Sequence, residues 1–484
     1  MLFNSIVFLG LFFPITLVIF YFLNRFFSEK LILIFLIIFS LIFYGYWELP
    51  YCSLLIGSIL FNYILGRYLA YKKLIFSRLL YPIYILTVTV NLCILAIFKY
   101  IDFIILNINF LIGSSIKNQQ IELPLAISFF TFQQIAFITS VYRGEIKKFE
   151  FLKYFLFVSF FPQLIAGPIV RFHEFYPQLL DKWKLNRNIK NILIGLMIFS
   201  IGMFKKIILA DNLAIISDPI FLGLSSNELP STIFAWIGLV AFTFQIYFDF
   251  SGYSDMAIGL ALCFGIKLPD NFLSPYKATS LRDFWRCWHI TLSKFLRDHI
   301  YIPLGGNKNG KISITYNILI TMILGGLWHG ASWNFILWGA YHGSLLSFER
   351  FLLISKTYKF LNFNKIIFVP IVFLLVTLGW IPFRCEDFQS TLTMLNILFG
   401  KSEVSFNIST ILFKHFFFLI ACLSIVWFMP NTKKIKVYID KIIDRKTINY
   451  YFISIVILLS FIIFFIILSS PSQFINREFI YFKF

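Results

Sequence analysis

Long apolar runs recur along the whole 484-residue chain, and they restrict its fold more than any other feature. A helix needs about 20 predominantly apolar residues to cross the hydrocarbon core of a bilayer. Runs close to this length cover residues 5–23, 31–47, 51–69, 81–98, 233–248, 366–382, 411–428 and 450–468. Charged residues make up 13% of the chain, whereas a soluble domain has roughly 25%. We therefore predict an all-α, polytopic integral membrane protein with roughly a dozen spanning or re-entrant helices.

The net charge of +19 comes from Lys and Arg residues that lie in short clusters between the apolar runs. This distribution is typical of the cytoplasmic loops of membrane proteins, whereas nucleic-acid binding requires a concentrated basic face. Basic residues follow the first and third runs, so the positive-inside rule places the N-terminus outside. With the basic loop at 433–446 also cytoplasmic, the tail at about 469–484 is expected to be extracytoplasmic.

Six cysteines lie far apart, and none forms a C-x-x-C pair. Such spacing gives neither a zinc-ligand set nor a disulfide framework, so we expect no metal site. Five of the six histidines and many of the tryptophans instead lie between about 161 and 343. Ionisable groups at membrane depth are costly and commonly face a cavity or a partner. We therefore expect the functional site in this core, within a single transmembrane domain over residues 1–484.

The segment at 280–298 carries a polar face if it forms one helix. Steps of three or four residues place five side chains on that face: Arg282, Arg286, His289, Ser293 and Arg297. Ser280 is the expected N-cap, with Asp283 completing a capping box. Three guanidinium groups suit an anionic ligand such as the phosphates of coenzyme A. The alternative is an amphipathic helix at the membrane interface, whose arginines meet lipid phosphates.

A second motif places His329 in an otherwise apolar segment rich in Gly and Trp, at 324–343. The glycines allow another backbone or a thin acyl chain to approach closely. A neutral imidazole at this depth can accept the proton of an attacking hydroxyl, which is general-base catalysis. The alternative is a core histidine that is hydrogen-bonded to a neighbouring helix. That alternative is the better interpretation of His342.

Two further features carry titratable or nucleophilic side chains. Asp249 and Asp255 lie at the end of an apolar run. They either line a cavity or pair with the arginines of the polar face at 280–298 (the arginine face), and structural pairing is the favoured interpretation. The C-terminal tail ends in a series of aromatic residues that includes Tyr481. It either anchors at the membrane interface or presents the Tyr481 hydroxyl as a covalent acyl carrier.

Together these segments resemble the membrane-bound O-acyltransferase family, within the bacterial branch of alginate O-acetylases and peptidoglycan O-acetyltransferases. The matching segments are FPQLIAGPIVR at 161–171, YFDFSGYSDMAIGL at 247–260, FWRCWHITLS with LRDHIYIPLGGN at 284–307, LGGLWHGASWNFILWGAYHG at 324–343 and the closing FIYFKF. Their order along the chain is also that of the family. Arg286–Cys287 departs from the Arg-Arg or Asn-Arg pair that this branch often carries, while it keeps the arginine.

The resemblance implies a fold and a set of roles. It implies a ring of transmembrane helices around a thinned, funnel-like centre in the inner membrane. His329 matches the catalytic histidine, and His289 matches the second functional histidine. The resemblance implies that acetyl groups from cytosolic acetyl-coenzyme A are relayed outward, with Tyr481 matching a tail tyrosine in that relay. No cofactor is then bound permanently, and Arg282, Arg286 and Arg297 hold the phosphates of the donor.

The resemblance also implies partners. A separate extracytoplasmic acetyltransferase then places the acetyl group on a cell-envelope polysaccharide, either peptidoglycan or an alginate-like polymer. One alternative is D-alanyl transfer to teichoic acid, although LGGN and LGGLWHG fit the O-acetylase branch better. A second alternative is a transporter or flippase that moves an intact anionic lipid or sugar through the same polar cavity. A polytopic glycosyltransferase is disfavoured because the larger loops are mainly basic.

Overall fold

The structure is a computed structural model, and it describes residues 1–72, 78–180, 189–224, 229–308, 310–354, 367–400, 409–443 and 479–480. Within these ranges the secondary structure is helical, without a β-strand, which confirms the all-α prediction. Up to residue 224 the described α-helices are α1 (Phe13–Phe26), α2 (Glu29–Gly45), α3 (Pro50–Lys72), α4 (Leu80–Ile112), α5 (Ile127–Arg143), α6 (Phe151–Ser159), α7 (Phe161–Leu164), α8 (Phe172–Phe175), α9 (Ile189–Met203) and α10 (Asp211–Gly223). Beyond it they are α11 (Thr232–Cys263), α12 (Leu281–Cys287), α13 (Ile290–Leu296), α14 (Gly310–His329), α15 (Trp333–Ile354), α16 (Phe368–Arg384), α17 (Phe388–Leu398), α18 (Ser409–Phe428) and α19 (Thr432–Ile443).

The apolar runs predict most of the spanning helices. Seven of the eight runs fall on helices, and the eighth, 450–468, lies outside the described residues. In the described part of the chain, six helical segments are long and apolar enough to cross a membrane. The pair of α18 and α19, bent by 63°, is a seventh candidate. Two of the six, Ile189–Gly223 and Gly310–His329, are absent from the predicted runs because polar residues interrupt their apolar sequence. The ring-shaped arrangement of helices stays a prediction.

The chain divides into two compact units, so the single-domain organisation also stays a prediction. The first unit comprises Met1–Ser200, Ser254–Pro269 and Ile439–Glu478. Its core is rich in phenylalanine: Phe12 and Phe43 each contact Phe161 with ring centroids 5.4 Å apart. In the same unit, the amides of Asn62 and Asn91 exchange two hydrogen bonds of 3.0 and 2.8 Å. Reciprocal amide pairs of this kind satisfy polar groups that apolar surroundings leave without water.

The second unit comprises Ile201–Tyr253, Asp270–Tyr438 and Phe479–Phe484, and it contains the motifs centred on residues 289 and 329. Its central element is a tight hairpin of α14 and α15. A Cβ atom on Gly326 would collide with the carbonyl oxygen of Phe335, and one on Gly339 with that of Met322. Only glycine therefore permits this close approach of the two helices. The hairpin fixes where α14 ends, and its last residue is His329.

Candidate functional site

The polar segment at 280–298 forms two short helices, so the prediction of one continuous helix is wrong. α12 ends at Cys287, α13 begins at Ile290, and His289 between them adopts a left-handed backbone with φ +40°. The predicted N-cap is confirmed, because Ser280 Oγ accepts a 3.0 Å hydrogen bond from the N–H of Asp283. The break means that helical spacing no longer places Arg297, which follows α13, on one face with Arg282 and Arg286 of α12.

Asn271 holds the break between the two helices. Its backbone carbonyl accepts from the N–H of Ile290 at 3.0 Å, and its side-chain oxygen accepts from the N–H of Thr291 at 3.2 Å and the Thr291 hydroxyl at 2.9 Å. Asn271 thereby satisfies the first N–H groups of α13, which have no partner within their own helix. This contact comes from a residue well before α12, so it is invisible to local sequence periodicity.

The same asparagine sets the tautomer of His289. His289 Nδ1 lies 3.2 Å from Asn271 Oδ1. Because that oxygen also accepts from the N–H of Thr291, it is an acceptor, and Nδ1 of His289 carries the ring proton. Nε2 is then the basic nitrogen of the neutral ring. Burial lowers the pKa of His289 to about 3, so the imidazole is neutral at physiological pH.

His329 is enclosed by aromatic rings from three helices. Its side chain is 2% exposed. The ring lies edge-to-face against Trp328 and Trp338 at centroid distances of 5.0 Å, and against Phe383 of α16 at 5.1 Å. These contacts fix the imidazole in apolar surroundings, where an electrostatic interaction with a substrate is stronger than in water. The sequence prediction of a buried histidine among Gly and Trp is confirmed.

Trp328 connects the two motif histidines. Its ring centroid is 5.8 Å from that of His289 and 5.0 Å from that of His329. His289 also contacts Phe250 of α11 edge-to-face at 4.6 Å. The structure therefore brings together the two histidines that the sequence singled out, with one indole in contact with both.

A cavity of about 170 Å³ extends along α14 and includes His329 in its wall. From Ile318 to His329 the lining covers three turns of helix, or about 16 Å at 1.5 Å per residue. Ser293 and Arg297, two members of the predicted polar face, also line it. Most of the remaining wall is apolar, with Leu292, Leu296, Met322, Trp338 and Leu346. A narrow, largely apolar cavity with a few polar groups in its wall has the character of a small-molecule binding site.

The two adjacent glycines of α14 have different functions. Gly326 faces the α15 backbone, as described above, whereas Gly325 lines the cavity. A Cβ atom on Gly325 would lie 3.0 Å from a methyl group of Leu296 across that space. The two possibilities offered by the sequence, a close backbone and a thin chain, therefore apply to two different residues.

The end of the cavity away from His329 is polar and basic. Tyr301 lines it and donates a 2.7 Å hydrogen bond to Asn307, which also accepts from Arg350 at 3.0 Å. Burial raises the pKa of Tyr301, and the positive charges of Arg350 and Arg282 act in the opposite direction, which places both arginines within electrostatic reach. Arg297, one turn before Tyr301, has a side chain that is 56% exposed and donates to Asp298 at 2.7 Å.

Arg350 is a residue that the sequence prediction missed. It lies near the end of α15, beside Glu349, whose carboxylate accepts a 2.6 Å hydrogen bond from the N–H of Leu281 at the start of α12. A charged pair in an otherwise apolar helix was the available signal. Arg286, in contrast, is predicted for the donor phosphates but is exposed, pairs with Asp283 at 3.4 Å and is absent from the cavity wall.

His342 lies in the core, as predicted, but differs in its hydrogen bonding. It is fully buried, with Trp285 at 5.2 Å and Trp338 at 5.1 Å between ring centroids. In the described part of the chain, neither of its ring nitrogens has a hydrogen-bond partner, so the predicted bond to a neighbouring helix is not found there. His342 does not line the cavity.

Asp249 pairs with a lysine rather than with the arginine face. Its Oδ1 lies 2.6 Å from Nζ of Lys206, which also contacts Asp211 at 2.9 Å. The other oxygen, Oδ2, accepts a 2.8 Å hydrogen bond from the N–H of Ile480 in the C-terminal tail. For Asp249 the prediction of structural pairing is confirmed, with Lys206 as the partner in place of an arginine. Tyr481, the predicted acyl carrier, lies outside the described residues. Within the described ranges, no three His, Cys, Asp or Glu side chains group as ligands for a metal ion.

Comparisons with known proteins agree with these motifs. A family model described as MBOAT, membrane-bound O-acyltransferase family, matches residues 74–354. The chain is 39% identical to a peptidoglycan O-acetyltransferase of Helicobacter pylori, over 84% of this chain and 81% of the relative. It is also 39% identical to a probable alginate O-acetylase of Pseudomonas aeruginosa, over 83% of this chain and 75% of the relative. A teichoic acid D-alanyltransferase of Bacillus subtilis is 27% identical, over 55% of this chain and 69% of the relative.

Proposed function

Because the chain belongs to the membrane-bound O-acyltransferase family, we propose that it relays acetyl groups from cytosolic acetyl-coenzyme A across the membrane for O-acetylation of a cell-envelope polysaccharide. The chain is a multi-pass membrane protein and an O-acyltransferase. The acetyl group, the acceptor and the direction of transfer are the proposed part. Relatives named for acetyl transfer to peptidoglycan and alginate support the acetyl group and a polysaccharide acceptor, peptidoglycan or an alginate-like polymer.

One observation carries the proposal: His329 lines a narrow cavity whose other end is basic. His329 is the proposed general base. It removes the proton from an acceptor hydroxyl as the oxygen attacks the thioester carbonyl carbon. The C–S bond then breaks, and the imidazolium returns the proton to the departing thiolate. The aromatic rings around His329 exclude water, which would otherwise hydrolyse the thioester.

The donor is proposed to enter from the basic end. Arg297 and Arg282 lie near Tyr301 at that end, where guanidinium groups pair well with phosphate oxygens. The thioester arm then extends along α13 and α14 past Ser293 toward His329. Arg286 is retained in the proposal as a peripheral phosphate contact. No permanently bound cofactor takes part, and acetyl-coenzyme A is the substrate.

His289 is the proposed second functional histidine. Asn271 fixes its Nδ1 as a donor, which directs a basic Nε2 away from Asn271. Trp328 contacts both histidines. In this geometry His289 orients the acceptor hydroxyl, while His329 carries out the proton transfer.

The proposed acceptor in the chain itself is the Tyr481 hydroxyl, which forms an acetyl ester and passes the acetyl group outward. Docking of the neighbouring tail residues Phe479 and Ile480 in the second unit supports this role. An extracytoplasmic acetyltransferase then moves the acetyl group from the tail to a polysaccharide hydroxyl. The proposal therefore includes a location in the cytoplasmic, or inner, membrane, with the tail on the outer side.

Labelled acetyl-coenzyme A, supplied to one face of proteoliposomes that contain the full chain, tests the proposal. We expect label on the protein, mapped by mass spectrometry to Tyr481, and none in the Tyr481→Phe variant. Adding an outer polysaccharide acceptor with its acetyltransferase should remove that label. Labelled protein that lacks acetyl-Tyr481 would refute the tail as acceptor.

The same vesicles test the competing transporter. A transporter or flippase moves an intact anionic lipid or sugar, with no transfer of acetyl groups. Flux of intact substrate without any acetylated product, in vesicles that contain wild-type protein, would therefore refute the proposed acetyl transfer. Mass spectrometry of envelope polysaccharides from cells with and without the gene identifies the final acceptor.

A further inference from the structure

A buried ion cluster in the second unit has no part in the cavity described above. Lys206 Nζ lies 2.9 Å from Asp211 Oδ1 and 2.6 Å from Asp249 Oδ1, and all three side chains are no more than 5% exposed. Lys206 belongs to a π-helical stretch, Phe204–Ala210, a form of helix that is frequent at functional sites. A Cβ atom on Gly252 of α11 would lie 2.8 Å from the carbonyl oxygen of Gly202, just before this stretch, and 3.2 Å from the backbone N of Lys206 within it, so glycine allows α11 to approach Lys206 closely.

Among the described residues, the cluster brings together two carboxylates and one ammonium group, and these three groups have a negative formal charge. Taking charges out of water is costly unless the geometry is favourable and further hydrogen bonds satisfy the remaining lone pairs. Asp249 divides its two oxygens between two partners. Oδ1 faces Lys206, and Oδ2 accepts from the backbone N–H of Ile480 at 2.8 Å. The C-terminal tail therefore supplies a donor to this buried carboxylate.

A second contact holds the tail at the same place. The Phe479 side chain is 1% exposed and stacks on Tyr253 at 4.8 Å, with Phe250 at 5.4 Å. Phe250 is also the ring that contacts His289 edge-to-face at 4.6 Å. The tail is thus attached by an apolar side chain and by a main-chain hydrogen bond, one aromatic ring away from His289.

We propose that Asp249, held by Lys206, positions the C-terminal tail at the catalytic centre by binding the N–H of Ile480. This inference rests on the proposed function, since it assumes that the tail takes part in acyl transfer. Asp249 acts through the tail and does not touch the reacting atoms. Because the bond involves the backbone, residue 480 tolerates many side chains but not proline, which has no N–H. Residue 479 requires a large aromatic ring.

Thiol labelling of residue 480 measures tail docking without reference to acetyl transfer. For this experiment two substitutions are introduced into the full chain. Cys93→Ser removes an exposed native thiol, and Ile480→Cys provides the thiol to be labelled while keeping the backbone N–H of residue 480. We expect Asp249→Leu to increase the rate of maleimide labelling roughly tenfold or more, the equilibrium factor that a hydrogen bond to a charged group contributes. Lys206 keeps Asp211 as its partner in this variant. The matched control is Asp218→Leu, because Asp218 pairs with Arg384 at 3.1 Å elsewhere in the unit.

A second pair of variants leaves the ion cluster intact and covers the case in which Asp249→Leu fails to fold. Ile480→Pro removes the N–H, and Ile480→Val keeps it. We expect Ile480→Pro to lower the rate of acetyl transfer roughly tenfold below that of Ile480→Val. Equal rates for these two variants would overturn the positioning role.

The labelling and transfer assays separate the two ideas. Unchanged labelling in folded Asp249→Leu overturns the anchor, whatever the transfer rate. Faster labelling of residue 480 in Asp249→Leu, together with a loss of acetyl transfer, supports the anchor and its positioning role. Fast labelling with full transfer overturns the positioning role. If Tyr481→Phe retains transfer while labelling still responds to Asp249, the tyrosine acceptor fails and the anchor itself stands.

Discussion

The end of α14 and the middle of α15 each bury one histidine among aromatic rings. His329 and His342 contact the same indole, that of Trp338, with ring centroids 5.0 and 5.1 Å from it. His329 lines the cavity, whereas His342 packs against Gly379, where a Cβ atom would meet its Nε2 at 2.7 Å. Burial and aromatic neighbours are therefore shared by both histidines, and access to a substrate-sized space distinguishes them.

The two sites also differ in what their imidazoles contribute to stability. In the described part of the chain His342 has no hydrogen-bond partner at either nitrogen, and an unsatisfied buried group costs about 1–3 kcal/mol. His329 performs chemistry in the proposed mechanism, so its removal is expected to affect rate. We therefore expect substitution of His329 to lower the rate of acetyl transfer, and substitution of His342 by an apolar residue to leave the rate nearly unchanged without a loss of stability.

The largest effect is expected from His329→Ala. Loss of a general base lowers the rate by about 100- to 10,000-fold. The measurement is the initial rate of acetyl transfer from labelled acetyl-coenzyme A in proteoliposomes, with size-exclusion chromatography as the control for folding. A folded variant within about threefold of the wild-type rate contradicts general-base catalysis by His329.

The paired glycines separate packing from access within the same hairpin. Gly326→Ala places a methyl group against the Phe335 carbonyl, and such overpacking costs about 1–3 kcal/mol or more. We expect a clear fall in melting temperature. Gly325→Ala places its methyl group in the cavity, and we expect a rate about tenfold lower because the thioester arm of the donor is displaced. Its melting temperature should stay near that of wild type. The reverse pattern would contradict the assignment of the two glycines.

Arg297→Ala tests the basic end of the cavity. Loss of a charge-assisted bond to phosphate should raise KM for acetyl-coenzyme A about tenfold, with a smaller change in kcat. Arg286→Ala should raise KM by only about twofold, since Arg286 is exposed and outside the cavity wall. Steady-state kinetics over a range of donor concentrations measure both values. Equal effects of the two variants would place the donor phosphates away from the cavity.

The smallest effect is expected from His342→Leu. An apolar side chain removes two buried polar nitrogens, so we expect an unchanged or higher melting temperature and a rate within about threefold of wild type. Thermal unfolding and the same transfer assay provide the measurement. A loss of rate as large as that of His329→Ala would abolish the distinction between the two histidines and bring His342 into the mechanism.

The parts of the fold that depend on local sequence were predictable. Apolar runs predicted helices because run length and hydropathy decide whether a segment enters the bilayer. The Ser280 cap was predictable because its hydrogen bond spans three residues. The break at His289 was not, because Asn271 imposes it from 18 residues away, and steps of three or four fit a broken helix as well as a continuous one.

In the functional site, too, the features that depend on contacts between residues distant in sequence could not be predicted. The motif around His329 predicted a buried, important histidine, but the cavity that sets it apart from His342 forms only when α13, α14 and α15 pack together. The sequence offers the arginines at 282–297 as partners for Asp249, yet the cation in the structure is Lys206, which lies in a π-helical stretch outside α11. The basic contribution of Arg350 likewise depends on its contact with Asn307 across the fold.

The central claim is that the donor thioester reaches His329 through the cavity. An experimental structure of the full chain with a non-hydrolysable thioether analogue of acetyl-coenzyme A tests it most directly. In the analogue, one carbon replaces the thioester carbonyl carbon, and we expect it to lie about 3–3.5 Å from an acceptor oxygen held by His329. The phosphates should lie at Arg297. An analogue bound beside His342, or anywhere outside the cavity, would contradict the claim.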